Sequence, residues 1–504
     1  MHLSHSNVFN NYGTALFVSN EAGNYTGAFN DDHTSSTSIG GEAIFIHYAT
    51  GYGGAIYLDD FSELNVMKGG SVSFVNNHAG SDGGAIYPNS QSVFIGYGTA
   101  SFVSNKAGVD GGAIYLTDKS VFNSYGTASF VSNWAQFGGA MYLTDASVFN
   151  NHGTASFVSN EAENFAGALY VDMGSNALLE GEAVFAQNTA KYGGAMLSYD
   201  SEVEFSGHVL FESNHANIDG GAVYAGRDST ALFGGGADYI VGDSNASFEG
   251  ETVFANNTAE NGGAIYSIAS AVFVETVTRF MFNVAFTGSG GGVYASNSVM
   301  SLNKAEFTEN HGVWGGGVAF FSSGSIWDEE SSGSGPSKMT GCSFDGNTAT
   351  DGGAIYTAAG YDMVTDSSFT RNFAAVQGGA LLHSGVLAAL SGCTFDSNMA
   401  GEDGLAVMSL GMADNISALL FRNNSFFCAS GKYALTENSD LVEDSDICRW
   451  GVVCSRCTDP QCDVPAGIDM NSITVPLCEV VPERVKTTGN SGMTLETLDV
   501  MSGF

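Results

Sequence analysis

The sequence predicts an all-β chain: a right-handed parallel β-helix, a solenoid of about 15 coils, with a small Cys-rich C-terminal segment. Three observations predict it. The first is a paired motif, Phe-x-x-Asn-x-Ala followed after a short gap by Gly-Gly-Ala-aliphatic-Tyr. It is plain at Phe74–Ala79 with Gly83–Tyr87, at Phe102–Ala107 with Gly111–Tyr115, and at Phe254–Ala259 with Gly262–Tyr266. A fixed period of this size is the signature of a stacked array. The second is the glycine pair itself, because each Gly costs about 1 kcal/mol in a helix interior. The third is the character of the flanking pieces. They are short, β-branched and aromatic, and bounded by Gly, Asn and Asp, which is strand-and-turn chemistry.

The copies start at Phe17, Phe45, Phe74, Phe102, Phe130, Phe157, Phe185, Phe211, Phe254, Phe280, Phe307, Phe344, Phe369, Phe395 and Phe421. A coil of this length holds three short strands and three turns, and fifteen such coils would rise on the order of 70 Å at strand spacing. Two steps are longer, with insertions near Arg227–Asn245 and Ser322–Lys338 that should leave the stack as loops. In the second copy Tyr48 stands where the Asn is expected, and the copy at Phe421 lacks its Gly-Gly half.

Strand alternation assigns the faces. Phe74, Phe102, Phe130, Phe157, Phe185 and Phe211 should form a buried stack, with small residues such as Ala100, Ala128 and Ala155 two places earlier. The aliphatic residue after Gly-Gly-Ala should also point inward. Asn77, Asn105, Asn133, Asn160, Asn188 and Asn214 should sit at a turn and form an amide ladder between coils. Tyr57, Tyr87, Tyr115, Tyr142 and Tyr170 alternate with the inward aliphatic residue, as do Tyr224, Tyr266, Tyr294 and Tyr356, so they should face outward. Such a stripe can brace neighbouring coils or offer an aromatic platform to a glycan or protein partner.

The chain starts on Met1-His-Leu-Ser-His, which lacks the basic start and apolar run of a secretory signal. Residues 7–15 match residues 120–128, so the chain begins inside a coil, and a fragment or misplaced start is expected. After residue 427 the character changes. Cys428, Cys448, Cys454, Cys457, Cys462 and Cys478 suggest a disulfide framework over 428–480, followed by a flexible tail over 481–504. A zinc site around Cys454-Ser-Arg-Cys457 is the rival reading, which an extracellular host disfavours. Cys342 and Cys393 share the small inward slot two residues before a Phe and lie two coils apart. That is too far for a disulfide, so both should be buried free thiols.

The formal charge of −38 excludes a nucleic-acid surface. No apolar run is long enough for a spanning helix. Asp82, Asp110, Asp219 and Asp351 each precede Gly-Gly and read as turn residues rather than as catalytic or calcium-binding groups. His78, His215 and His311 read as exposed and incidental. No nucleophile motif, phosphate loop or dinucleotide fingerprint stands out, and neither a cofactor nor a metal is expected.

The paired Phe-x-x-Asn and Gly-Gly-Ala-aliphatic motifs resemble the repeats of the chlamydial polymorphic outer membrane proteins, over nearly the whole chain to about Phe421. The resemblance implies a β-helical passenger of a surface autotransporter that acts as an adhesin. The chain departs from that pattern in having no signal sequence and no C-terminal run of alternating barrel strands. Its Cys-rich end fits better a secreted or surface protein, eukaryotic ones included, that carries the same repeat. The expectation is therefore a monomeric, non-enzymatic extracellular adhesin or structural scaffold, residues 1–427 forming the solenoid. The alternative is a polysaccharide-degrading β-helix enzyme with its site in the inserted loops.

Overall fold

A computed structural model describes residues 2–426 apart from 4–6, 23–27, 50, 227–229, 234–250, 275–276, 322–336, 359–360, 385, 403 and 411. Beyond them it describes the strands Tyr433–Thr436, Val453–Ser455 and Pro476–Glu479. The insertions and the pairing of the six tail cysteines thus lie largely outside the described residues. The chain divides into two compact units, Met1–Thr278 and Arg279–Phe504. Each is a parallel β-solenoid of the same coil, and no helix occurs among the described residues.

One coil of the first unit shows how the sequence makes the path. The strand Ile114–Leu116 follows Gly-Gly-Ala, and a turn at Asp118 and Lys119, both with positive φ, leads to Val121–Ser124. A Tyr-Gly corner at 125–126 leads to the Phe strand Thr127–Val131. Ser132, at φ 54°, turns the chain into Asn133, and Trp134–Phe137 completes the coil. Each strand pairs in parallel and in register with its counterpart one coil on, so that Phe102 faces Phe130 and Phe130 faces Phe157.

Register turns the sequence columns into physical stacks. Phe102, Phe130 and Phe157 are fully buried, with ring centroids 4.7 Å apart and planes 3° apart. A second column, not singled out from sequence, lies inside the middle strand: Phe94 stacks on Phe122 at 4.3 Å and Phe122 on Phe149 at 5.2 Å. Its signal was a Val-Phe pair repeated at 93–94, 121–122 and 148–149. The ladder alanines, such as Ala107 and Ala135, and the inward Ile114 and Met141 complete a closed core.

The glycine pair has two separate causes. Gly111 has a φ of 61°, where an L side chain is strained. Gly112 is needed for space: a Cβ there would stand 2.0 Å from Gly139 O and 2.7 Å from Trp134 O of the next coil. Gly112→Ala must therefore push two coils apart. We expect a loss of about 1–3 kcal/mol from overpacking, measured by chemical denaturation; a loss near zero would show that the coils can separate at this seam. The first slot is more tolerant, since Ala166 occupies it with a φ of 54°.

Register also corrects the reading of Tyr48. Tyr48 pairs with His78 and Ala49 with Ala79, so Tyr48 matches the residue after the Asn. That coil has no residue at the Asn position at all; it is one residue short.

In the second unit, Cys342 and Cys393 are buried free thiols. Ser343 pairs with Ser368 and Ser368 with Thr394, which puts the two cysteines two coils apart with Ser367 between them. Burial pushes the Cys342 thiol up to about 12 and that of Cys393 up to about 11. Near the end of this unit Val453–Ser455 pairs in parallel with Val407–Ser409, and Tyr433–Thr436 pairs antiparallel with Pro476–Glu479.

Candidate functional site

Among the described residues the Asn column forms a repeated ladder of side-chain amides in each unit. Asn133 Nδ2 donates to Phe102 O of the preceding coil and to Asn160 Oδ1 of the next. Its Oδ1 accepts from both the backbone N–H and the Nδ2 of Asn105. Each amide thus makes four bonds in a fully buried site. The same bonding links Asn77, Asn105, Asn133, Asn160, Asn188, Asn214 and Asn257 in the first unit. In the second it links Asn283, Asn310, Asn347, Asn372, Asn398 and Asn424. Asn77 Oδ1 is the exception. It has no partner among the described residues, because the coil before it lacks the ladder residue.

The Tyr column lies on the outer side of its strands but does not form the exposed platform expected from alternation. Tyr57 and Tyr142 are 8% exposed and Tyr170 is 7% exposed, while Tyr87 and Tyr115 are half-buried. Alternation gives the side of a strand, not what covers it. Phe137 and Phe165, with Tyr192, come from the strands after the Asn turns and pack against Tyr142, Tyr170 and Leu197. The rings also cover one another: Tyr142 and Tyr170 stack at 4.3 Å, and Tyr57 and Tyr87 at 5.2 Å. The Tyr142 and Tyr170 hydroxyls both donate to Asp172 Oδ2, at 3.1 and 3.0 Å.

Asp82 and Asp110 flank this aromatic cluster in the row that Phe137 and Phe165 continue. Asp82 Oδ1 accepts from the Asp110 backbone N–H at 3.2 Å, a turn contact. Burial, with Asp82 and Asp172 nearby, raises the Asp110 carboxyl to about 7. His78 and His215 are half-buried rather than exposed, while His311 is exposed. The Nδ1 atoms of His215 and His311 lie 2.8 Å from Thr258 and Thr348 hydroxyls of the next coils. Among the described residues, Asp32, His33 and Asp60 bring their ligand atoms within 4.8 Å of one another at a surface turn.

Sequence reading missed two further features. One is an exposed ring row at the Tyr-Gly corners. Tyr97 stacks on Tyr125 at 5.0 Å and Tyr125 on His152 at 4.8 Å, with Tyr97 50% and Tyr125 46% exposed. The repeated Tyr-Gly-Thr-Ala was its signal. The other is a buried relay in the second unit. Thr357 Oγ1 donates to Asp362 Oδ2 at 2.6 Å, and His383 Nδ1 lies 2.9 Å from the same hydroxyl. All three are fully buried, and Asp362 Oδ1 has no partner among the described residues.

Burial raises the Asp362 carboxyl to about 7, against the Thr357 bond that lowers it. A carboxyl raised on folding stabilises fully below its unfolded value near 4, and that contribution is lost as pH rises through the folded value. We therefore expect Asp362→Asn to flatten the stability difference between pH 5 and pH 8, by about 2.5 kcal/mol at most. Denaturant melts of both proteins at the two pH values check this, and identical profiles would contradict it.

These features define a parallel β-solenoid built from a Phe-stacked, Asn-laddered repeat. The model of the Chlamydia polymorphic membrane protein repeat matches this chain at residues 71–87, 99–117, 208–226, 251–268 and 341–358. The chain is also similar to the probable autotransporter YfaL of Escherichia coli (strain K12). The two are 29% identical over 218 residues, covering 40% of this chain and 16% of that protein. No solved structure matches.

Proposed function

We propose that this chain is a surface-displayed, non-enzymatic solenoid that serves as an adhesin or interaction scaffold. Its place would be extracellular, and at the outer membrane in a bacterial host. The observation that carries this reading is the fivefold match to the polymorphic membrane protein repeat. The similarity to a probable autotransporter supports it. In this reading the solenoid is right-handed, has about 15 coils over residues 1–427 and works as a monomer, with residues 428–480 as a disulfide-linked end and 481–504 as a loose tail. The Tyr57–Tyr170 column serves it mainly by bracing the coils.

The test is retention of beads coated with the full chain on cultured cells, beside incubation of the chain with a panel of acidic polysaccharides. Retention above albumin-coated beads without new reducing ends is the expected result. Release of reducing ends would replace this reading by a polysaccharide-degrading enzyme acting through its inserted loops.

A further inference from the structure

Three coils carry the same eight residues, Gly-Thr-Ala-Ser-Phe-Val-Ser-Asn, at 98–105, 126–133 and 153–160. The core accounts for the Ala, Phe and Asn, which are buried in all three. It does not account for the alternate residues on the outer face. Thr99, Thr127 and Thr154 are exposed; Ser101, Ser129 and Ser156 are half-buried, as are Val103, Val131 and Val158. Outward positions just past the eight residues differ freely: Lys106, Trp134 and Glu161. Identity is thus kept on this face where packing does not demand it.

In-register pairing sets Thr beside Thr, Ser beside Ser and Val beside Val, and Ser71, Ser73 and Val75 add a fourth rung. The outcome is a flat grid with repeats of about 4.8 Å across strands and about 7 Å along them. Ser156 Oγ donates to Ser129 Oγ at 3.1 Å within it. The grid holds no charged side chain, in a chain with 53 acidic and 15 basic residues. Charge returns at both limits of the Thr row, with Glu42 pairing Ser71 and Glu182 pairing Thr154. The stacked Tyr97, Tyr125 and His152 rings rim one side and turn their edges outward, since their faces cover each other.

We propose that this grid is a docking face for an ordered, neutral polysaccharide, stacked chains of the cellulose or chitin type. The inference rests on the adhesive reading and gives it a ligand class. Charge complementarity selects the partner. A polyanionic glycan is repelled by the chain as a whole, and a cationic partner finds carboxylates almost anywhere else. Rows of hydroxyls that both donate and accept suit a surface of sugar hydroxyls. Repeated weak contacts at fixed spacing add up on an ordered partner, where a single sugar would be held poorly. A second copy of the chain is disfavoured by size: the grid offers roughly 300 Å² by its strand dimensions, against about 800 Å² per partner in a stable complex.

The test measures co-sedimentation of the full chain with microcrystalline cellulose and with chitin, beside retention on heparin beads. Thr127→Glu and Thr127→Lys place either charge within the Thr row of the grid, between Thr99 and Thr154. The fold already carries Glu at this register, in Glu42 and Glu182. Both variants are expected to lower the bound fraction at least fivefold with unchanged melting. Unchanged binding in both variants overturns the proposal. Stronger binding by Thr127→Glu with loss by Thr127→Lys overturns it in favour of a cationic partner. A wild-type dimer in sedimentation velocity that either variant dissolves overturns it in favour of self-association. Wild-type chain that ignores cellulose and chitin, yet holds beads on cells, ends this proposal and leaves the adhesive reading standing.

Discussion

Replacing Phe130 by Ala is expected to lower stability by about 3–5 kcal/mol, through lost burial and the cavity left behind. The ring is fully buried and lies between Phe102 and Phe157, 4.7 Å from each. Neither neighbour can move in to fill the gap, because each is fixed by its own in-register strand and by the next ring of the stack. Stability in a solenoid is close to a sum of repeat and nearest-neighbour terms. One missing ring therefore weakens two interfaces, and the unfolding transition should broaden as well as shift. Val131→Ala, one residue on and on the outer face, is the control and should cost less than 1 kcal/mol. Equal losses for the two variants in denaturant melts would show that the inward column has been assigned to the wrong face.

The inward columns were legible because a solenoid repeats each core position many times, so a constraint on one coil appears as a column of identical letters. Phe, Asn, Ala and Gly-Gly all announced themselves in this way. Two kinds of information were not legible. Cover is the first: the Tyr column lies on the side that alternation predicts, yet Tyr142 and Tyr170 are buried. The coils ending at Phe137 and Phe165 lay aromatic side chains over them, and that packing depends on neighbouring segments rather than on the strand itself. The second is register across an irregular coil. Tyr48 stands three residues after Phe45, as the ladder Asn does elsewhere, but pairing places it beside His78. A deletion and a substitution look alike in one copy, and only the backbone hydrogen bonds distinguish them. The outward grid was hidden for a different reason. Identical outward residues resemble plain sequence repetition until the structure shows that they form one uncharged face.

Removing the ladder amide should be as damaging as removing the ring, but only inside the ladder. In Asn133→Ala the backbone N–H and one Nδ2 proton of Asn105 lose their acceptor, and Phe102 O loses its side-chain donor. Each buried polar group left unsatisfied costs about 1–3 kcal/mol, so the expected loss is about 3–6 kcal/mol. Water cannot easily replace the amide, since the site is closed by stacked coils on both sides. Asn77 heads the ladder, and the same substitution there behaves differently. No amide in the preceding coil depends on Asn77 Oδ1, which is itself without a partner among the described residues. Asn77→Ala removes a donor from Phe45 O and eliminates that unpaired oxygen, so about 1–2 kcal/mol is expected. The comparison separates hydrogen bonding from space filling, because both substitutions delete the same atoms from buried sites. Denaturation of the two variants under identical conditions decides between them. A loss at Asn77 as large as that at Asn133 would mean that the column contributes by packing, and that its chain of amides adds little.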